Sequence, residues 1–179
     1  MNRQNKLMEM LTGYAAAHQH PFNIFVHLLG IPTIMLGVLI PLTWLGIEID
    51  TISINLAQLL VVAFFLFYLT LDRLFAVVFL VAAMLLTVLA SRVGAMPMAI
   101  SGGIAAVAFF GGYALQFVGH AVEKSMPVLV KHPIQANLAA PFFIVVEIFK
   151  LLGLRSELFD AVQEEVAARR RATVAGASE

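Results

Sequence analysis

The sequence predicts an all-α integral membrane protein with about four transmembrane helices, an N-terminal amphipathic helix and a C-terminal re-entrant or interfacial helix. Three observations carry this expectation. Hydrophobic residues make up 61% of the 179-residue chain and charged residues 12%, against about 25% charged in an ordinary soluble domain. The apolar residues fall in long runs, and a helix needs roughly 20 of them to cross a hydrocarbon core. Most ionisable groups sit in the short breaks between the runs, because lipid penalises them.

The elements follow in order. In residues 1–17, Leu7, Met8, Met10, Leu11 and Tyr14 approximate a helical stripe, which suits a short helix on the membrane surface or under the bundle. No apolar core precedes a small-residue cleavage site there, so the first span reads as a retained anchor. Pro21 fits the first turn of a new helix, where its missing N–H costs little. Span one covers about 22–45 and includes Pro32 and Pro41, which membrane helices tolerate when neighbours satisfy the freed carbonyls. Residues 46–53, with Glu48 and Asp50, read as a loop. Span two covers 54–71, Asp72 and Arg73 form a tight polar turn, and span three covers 74–90. A loop at 91–97 leads to span four at 98–118. Residues 134–154 are apolar but interrupted by Gln135, Asn137, Pro141, Glu147 and Lys150, which favours a re-entrant or interfacial helix over a fifth span. From Ser156 the chain is charged and Ala-rich, the pattern of a solvated helix with a loose end. Residues 1–155 thus form one membrane-embedded domain and 156–179 a charged tail. No internal repeat is visible.

Lys and Arg placement gives the orientation. With the N-terminus inside, ten of the eleven basic residues fall on the inner side and only Arg92 on the outer. His18, His20, His27, His120 and His132 then share that inner, cytoplasmic face. The short spans and the Ala/Arg-rich tail favour a bacterial inner membrane over the endoplasmic reticulum.

Net charge is zero, so nucleic acid is not an expected partner. With no cysteine, disulfides, thiolate metal sites and cysteine nucleophiles are excluded. The histidines carry the chemistry. Asn23 and His27 are four apart, and His20 is three before Asn23, so these side chains lie along one helical face. A bend at Pro21 folds His18 back over His27. Gln116, His120 and Glu123 share a face on span four, with the His-x-x-Glu spacing of carboxylate–histidine pairs in di-metal bundles. Each piece has a plainer reading: His20 as a helix cap, His120 at a helix C-terminus, Glu123 as a headgroup-level charge, His132 as a loop residue. Glu147 in an apolar run is a candidate to support or pair with a site residue. Imidazole ligands with at most one carboxylate suit Fe(II), Zn or Cu. The zinc-hydrolase His-Glu-x-x-His, the Gly-x-Ser-x-Gly elbow and the phosphate loop are absent.

Three stretches carry a resemblance: Tyr14-Ala-Ala-Ala-His18-Gln-His-Pro-Phe-Asn23-Ile-Phe-Val-His27-Leu-Leu-Gly-Ile-Pro32, Gln116-Phe-Val-Gly-His120-Ala-Val-Glu123-Lys-Ser-Met-Pro127, and Gln135-Ala-Asn-Leu-Ala-Ala-Pro141-Phe-Phe-Ile-Val-Val-Glu147. In these the chain resembles the Mpo1-like family, typified by a 2-hydroxy fatty acid dioxygenase, over about residues 7–152. The resemblance implies an Fe(II)-dependent alpha-oxidation that turns a long-chain 2-hydroxy fatty acid and O2 into the acid one carbon shorter plus CO2. It implies His18, His27 and His120 as metal ligands, with His20 a spare ligand or a neutral departure from the more usual Asn. His132 departs in the same way. Asn23 and Glu123 match the family's other polar positions and become the candidate catalytic pair. Gln116 and Lys124 are candidate substrate contacts, with Lys131 also placed to steer a carboxylate. Membrane lipid is an expected partner, and a homo-oligomer is compatible with the chain. Two other classes stay open: a non-catalytic lipid-binding or scaffold protein, and a bis-histidine haem electron carrier.

Overall fold

The computed structural model describes residues 3–50, 52–131 and 133–176; His132 lies outside them. The order is α1 (Arg3–Ala17), α2 (Pro21–Thr43), β1 (Gly46–Ile49), β2 (Ile52–Asn55), α3 (Leu56–Leu69), α4 (Arg73–Gly94), α5 (Met98–Glu123), α6 (Val128–Lys131), α7 (Pro133–Leu151) and α8 (Ser156–Gly176). The all-helical membrane class holds. By length and composition, α2, α4, α5 and α7 are each sufficient to cross a membrane.

Two expectations change. The loop at 46–53 belongs instead to an antiparallel hairpin, with Ile47 opposite Ile54 and Glu48 opposite Ser53. Asp50 takes φ 56° at its turn, a region Asp tolerates better than most residues. The hairpin shortens the second span. Asn55 ends the strand and caps α3 in a reciprocal box with Gln58, which leaves 14 residues in that helix, about 21 Å of rise. The third apolar run, by contrast, extends to 22 residues in α4. Asp72 starts it by accepting from Leu74 N and Phe75 N, both at 3.0 Å.

α2 and α5 form the central pair, and glycine lets them approach closely. A Cβ on Gly112 would lie 2.6 Å from Ile34 Cγ1 and 2.9 Å from the Gly30 carbonyl oxygen. A Cβ on Gly119 would collide with Asn23 and Val26. Small residues of this kind are how membrane helices pack without a hydrophobic drive between them. One end of the bundle gathers the start of α2, the end of α3, the start of α4 and the end of α5. The other end holds the hairpin, with Trp44 Nε1 donating to the Gly94 carbonyl at 3.2 Å.

α7 lies against the first of these ends. Tyr68, in the last turn of α3, donates to the Leu138 carbonyl at 2.8 Å. Phe142 and Phe149 both pack on Phe75, in the first turn of α4. Arg155, just beyond α7, pairs with the capping carboxylate of Asp72 at 2.7 Å. Both halves of α7 therefore touch the same end of the bundle. α1 packs on α8. Leu7 and Leu11 are buried, as their stripe required, and so are Phe159, Val162 and Val166. The tail was expected to be a solvated helix; it is helical, but one face is covered.

Candidate metal centre and its cavity

His18, His27 and His120 come together, all buried. One ligating nitrogen from each lies within 4.8 Å of the others. His18 follows the end of α1, His27 lies in the second turn of α2, and His120 in the last turn of α5. The ring centroids are 4.5 Å apart for His18 and His27, and 5.0 Å for each with His120. The fold-back of His18 at Pro21 is observed.

The outer nitrogens are held. His18 Nδ1 donates to the Tyr14 carbonyl at 3.0 Å, and His27 Nδ1 to the Asn23 carbonyl at 2.8 Å. Carbonyl oxygens only accept, so both Nδ1 atoms carry the proton and both Nε2 atoms bear a lone pair. Those two Nε2 atoms face one another at 3.2 Å. Two lone pairs do not bond each other, whereas a shared cation satisfies both. Imidazole nitrogens about 2.1 Å from one ion, at angles between octahedral and tetrahedral, are roughly 2.9–3.4 Å apart, and the observed spacing fits. His120 Nδ1 bonds Ser125 Oγ at 3.0 Å. Partners of this kind fix tautomer and ring orientation in metal sites. Burial above all, with His27 next to it, pushes His18 down to about 3, so it is neutral and ready to ligate near pH 7.

The sequence motif assigns Tyr14 no role. Its ring stacks on His18 at 3.7 Å and on Phe143 of α7 at 3.3 Å. Ser125 was likewise unassigned. The signal for Tyr14 is the four-residue step to His18, which puts a carbonyl freed at the helix end within reach of the imidazole.

The other candidates separate. His20 caps α2, accepting from Phe22 N at 3.2 Å, and its plainer reading is the one observed. Glu123 turns from the trio. Its carboxylate accepts from Gln19 N at 2.5 Å, His20 N at 3.0 Å and the Asn23 side-chain amide. Lys124 is exposed at φ 56°, ending α5. Gln116 is buried beside Gly30, and among the described residues its amide nitrogen has no hydrogen-bond partner. Glu147 pairs with Lys150 at 3.6 Å.

Gln116 and the three histidines line one part of a cavity of about 750 Å³, within the range of ligand pockets. Its remaining walls are mostly apolar, from α2, α3 and the first half of α7, and the exposed Lys6 and Glu9 of α1 also line it. Such a space takes a long apolar ligand with one polar end.

A family profile described as Mpo1-like, 2-hydroxy-palmitic acid dioxygenase Mpo1-like, matches residues 4–152. The chain is 29% identical to the 2-hydroxy-palmitic acid dioxygenase MPO1 of Saccharomyces cerevisiae over 166 residues, 92% of each protein. No solved structure matches.

Proposed function

From the premise that the chain belongs to the Mpo1-like family, we propose that it is an Fe(II)-dependent dioxygenase converting 2-hydroxy fatty acids to the acid one carbon shorter. The observation that carries this reading is the trio, with Nδ1 held on His18 and His27 and the Nε2 atoms of those two facing each other, opening on an apolar cavity. The reaction balances without a further reductant: R–CH(OH)–COOH plus O2 gives R–COOH, CO2 and H2O. The C1–C2 bond breaks, and the substrate supplies all four electrons that reduce O2.

Ferrous iron held by His18, His27 and His120 would supply open positions for a 2-hydroxy carboxylate and for O2. The protein's own groups do the rest. The carbonyls of Tyr14 and Asn23 hold two ligands in place. The Gln116 amide donates to the substrate's carboxylate or hydroxyl, which satisfies an otherwise orphaned buried donor. The cavity takes the acyl chain and excludes water from the reacting end. Lys6, exposed and lining the cavity, draws the carboxylate in, with Lys124 acting only at long range. Glu123 and Asn23 position the 18–20 turn. His18 also argues against haem between His27 and His120, because its ring occupies the space a porphyrin plane needs.

The test is an anaerobic reconstitution with Fe(II), followed by 2-hydroxypalmitate and O2. One O2 consumed per acid, with pentadecanoate and CO2 formed and no 2-oxoglutarate added, is the expected result. Folded, iron-loaded protein without turnover overturns the reading and leaves a lipid-binding protein. Stoichiometric iron lost in His18→Ala, His27→Ala and His120→Ala but kept in His20→Ala is expected beside it.

A further inference from the structure

We infer that the deep end of the cavity is a chain-length stop, formed by Leu39 of α2 and Val61 of α3 with Val38 and Leu60 beside them. The inference rests on the reading of the trio as the polar end of an acyl site. Polar and apolar linings are segregated. The histidines and Gln116 sit toward the end of the bundle where α2 begins. Away from them, Ile31, Ile34, Met35 and Val38 face the cavity on successive turns of α2. From His27 to Leu39 the helix rises about 18 Å, a depth that suits a long acyl chain.

The stop is firm. Leu39 and Val61 are each 2% exposed and belong to the main core cluster, as does Phe79, which also lines the cavity. Close-packed side chains do not yield to an extra methylene without strain. Just beyond, the capping box at Asn55 fixes the start of α3, so the wall cannot slide outward. Chains longer than the cavity are therefore rejected sharply. Shorter ones bind with a gradual loss, because each missing methylene forfeits packing contacts.

The experiment is displacement of a fluorescent fatty acid from the detergent-solubilised, Fe(II)-loaded protein under nitrogen. The competitors are 2-hydroxy acids of increasing length, and turnover in air is measured in parallel. Wild type is expected to show a steep fall in affinity above one limiting length. Val61→Phe shortens that limit by roughly three methylenes, the extra reach of a phenyl group, and Leu39→Ala lengthens it. Leu60→Phe, at a partly exposed lining position, reads the same effect if Val61→Phe does not fold. Leu66→Phe, on the exposed side of α3, leaves the limit unchanged. A flat length profile, or one limit shared by the folded lining variants, overturns the inference even where turnover is observed. Length-limited binding without turnover at any length overturns the dioxygenase reading and leaves the stop standing.

Discussion

Glu123 is defined by where its two oxygens go. The His-x-x-Glu spacing suggested a metal-site carboxylate and the family resemblance a catalytic one, yet three N–H donors from Gln19, His20 and Asn23 engage its carboxylate. Those bonds tie the turn that carries His18 to the end of α5, and the role proposed for Glu123 is to act through His18. In Glu123→Gln one acceptor oxygen becomes an NH2 that meets another donor. Metal titration of this variant is expected to show roughly 10–100-fold weaker binding, the usual effect of losing an outer-shell partner. A general base would instead leave metal affinity intact and lower only the rate. His18 gives a pH dependence. Its imidazole takes a proton near 6.5 when unfolded and near 3 when folded. Between those values the unfolded chain binds more protons, so the metal-free protein gains stability as pH rises to 6.5 and loses it as pH falls. Thermal unfolding without metal is expected at lower temperature at pH 5 than at pH 7.5, with the difference reduced in His18→Gln. His18 and His27 were legible because helical spacing and the proline bend both act within a few residues, and His120 because Lys and Arg placement put it on the same membrane face. The Tyr14 stack was not, since its other face is covered by Phe143, far along the chain.

At the scale of elements, the glycines of the α2–α5 contact decide how close the histidines come. Gly112→Ala pushes a methyl group against Ile34 and the Gly30 carbonyl, and overpacking of this kind costs about 1–3 kcal/mol. Because His27 and His120 sit on the two helices so separated, the variant is expected to lose metal affinity as well as thermal stability. Gly103→Ala is the contrast, with open space around its Cβ and a gain of up to about 1 kcal/mol from helix propensity. Both follow from thermal unfolding and metal titration of the two variants. The hairpin shows where reading by composition fails. Ile47, Ile49, Ile52 and Ile54 bracket Asp50 in an alternating pattern, a period-two signal, but the charges beside them suggested a loop. That reading also lengthened the second span, since Ile54 and Asn55 belong to a strand.

For the whole molecule, the course of α7 and the sidedness of the membrane are one question. With α7 lying across the histidine end, ten basic residues share a side and Arg92 stands alone. If α7 crossed, Lys150, Arg155 and Arg169 to Arg171 would join Arg92, giving six against five and erasing the bias that orients membrane proteins. The contacts of Tyr68, Phe75 and Asp72 with α7 and the turn after it favour the first arrangement. Sequence alone could suggest this only from the polar interruptions in the run, because long-range packing decides it. The chain has no cysteine, so single substitutions can be labelled without background. Glu48→Cys in the hairpin is expected to react with an impermeant maleimide from the outer side. Lys124→Cys and Leu152→Cys, at opposite ends of the α6–α7 segment, are expected to react only from the cytoplasmic side. Leu152→Cys reacting with Glu48→Cys instead would make α7 a span. The arginine tail would then lie outside, and the part of the cavity lined by α7 would face the bilayer interior, not the cytoplasmic surface. Acyl chains would have to enter the site from between the helices, and Lys6 would no longer guard the way in.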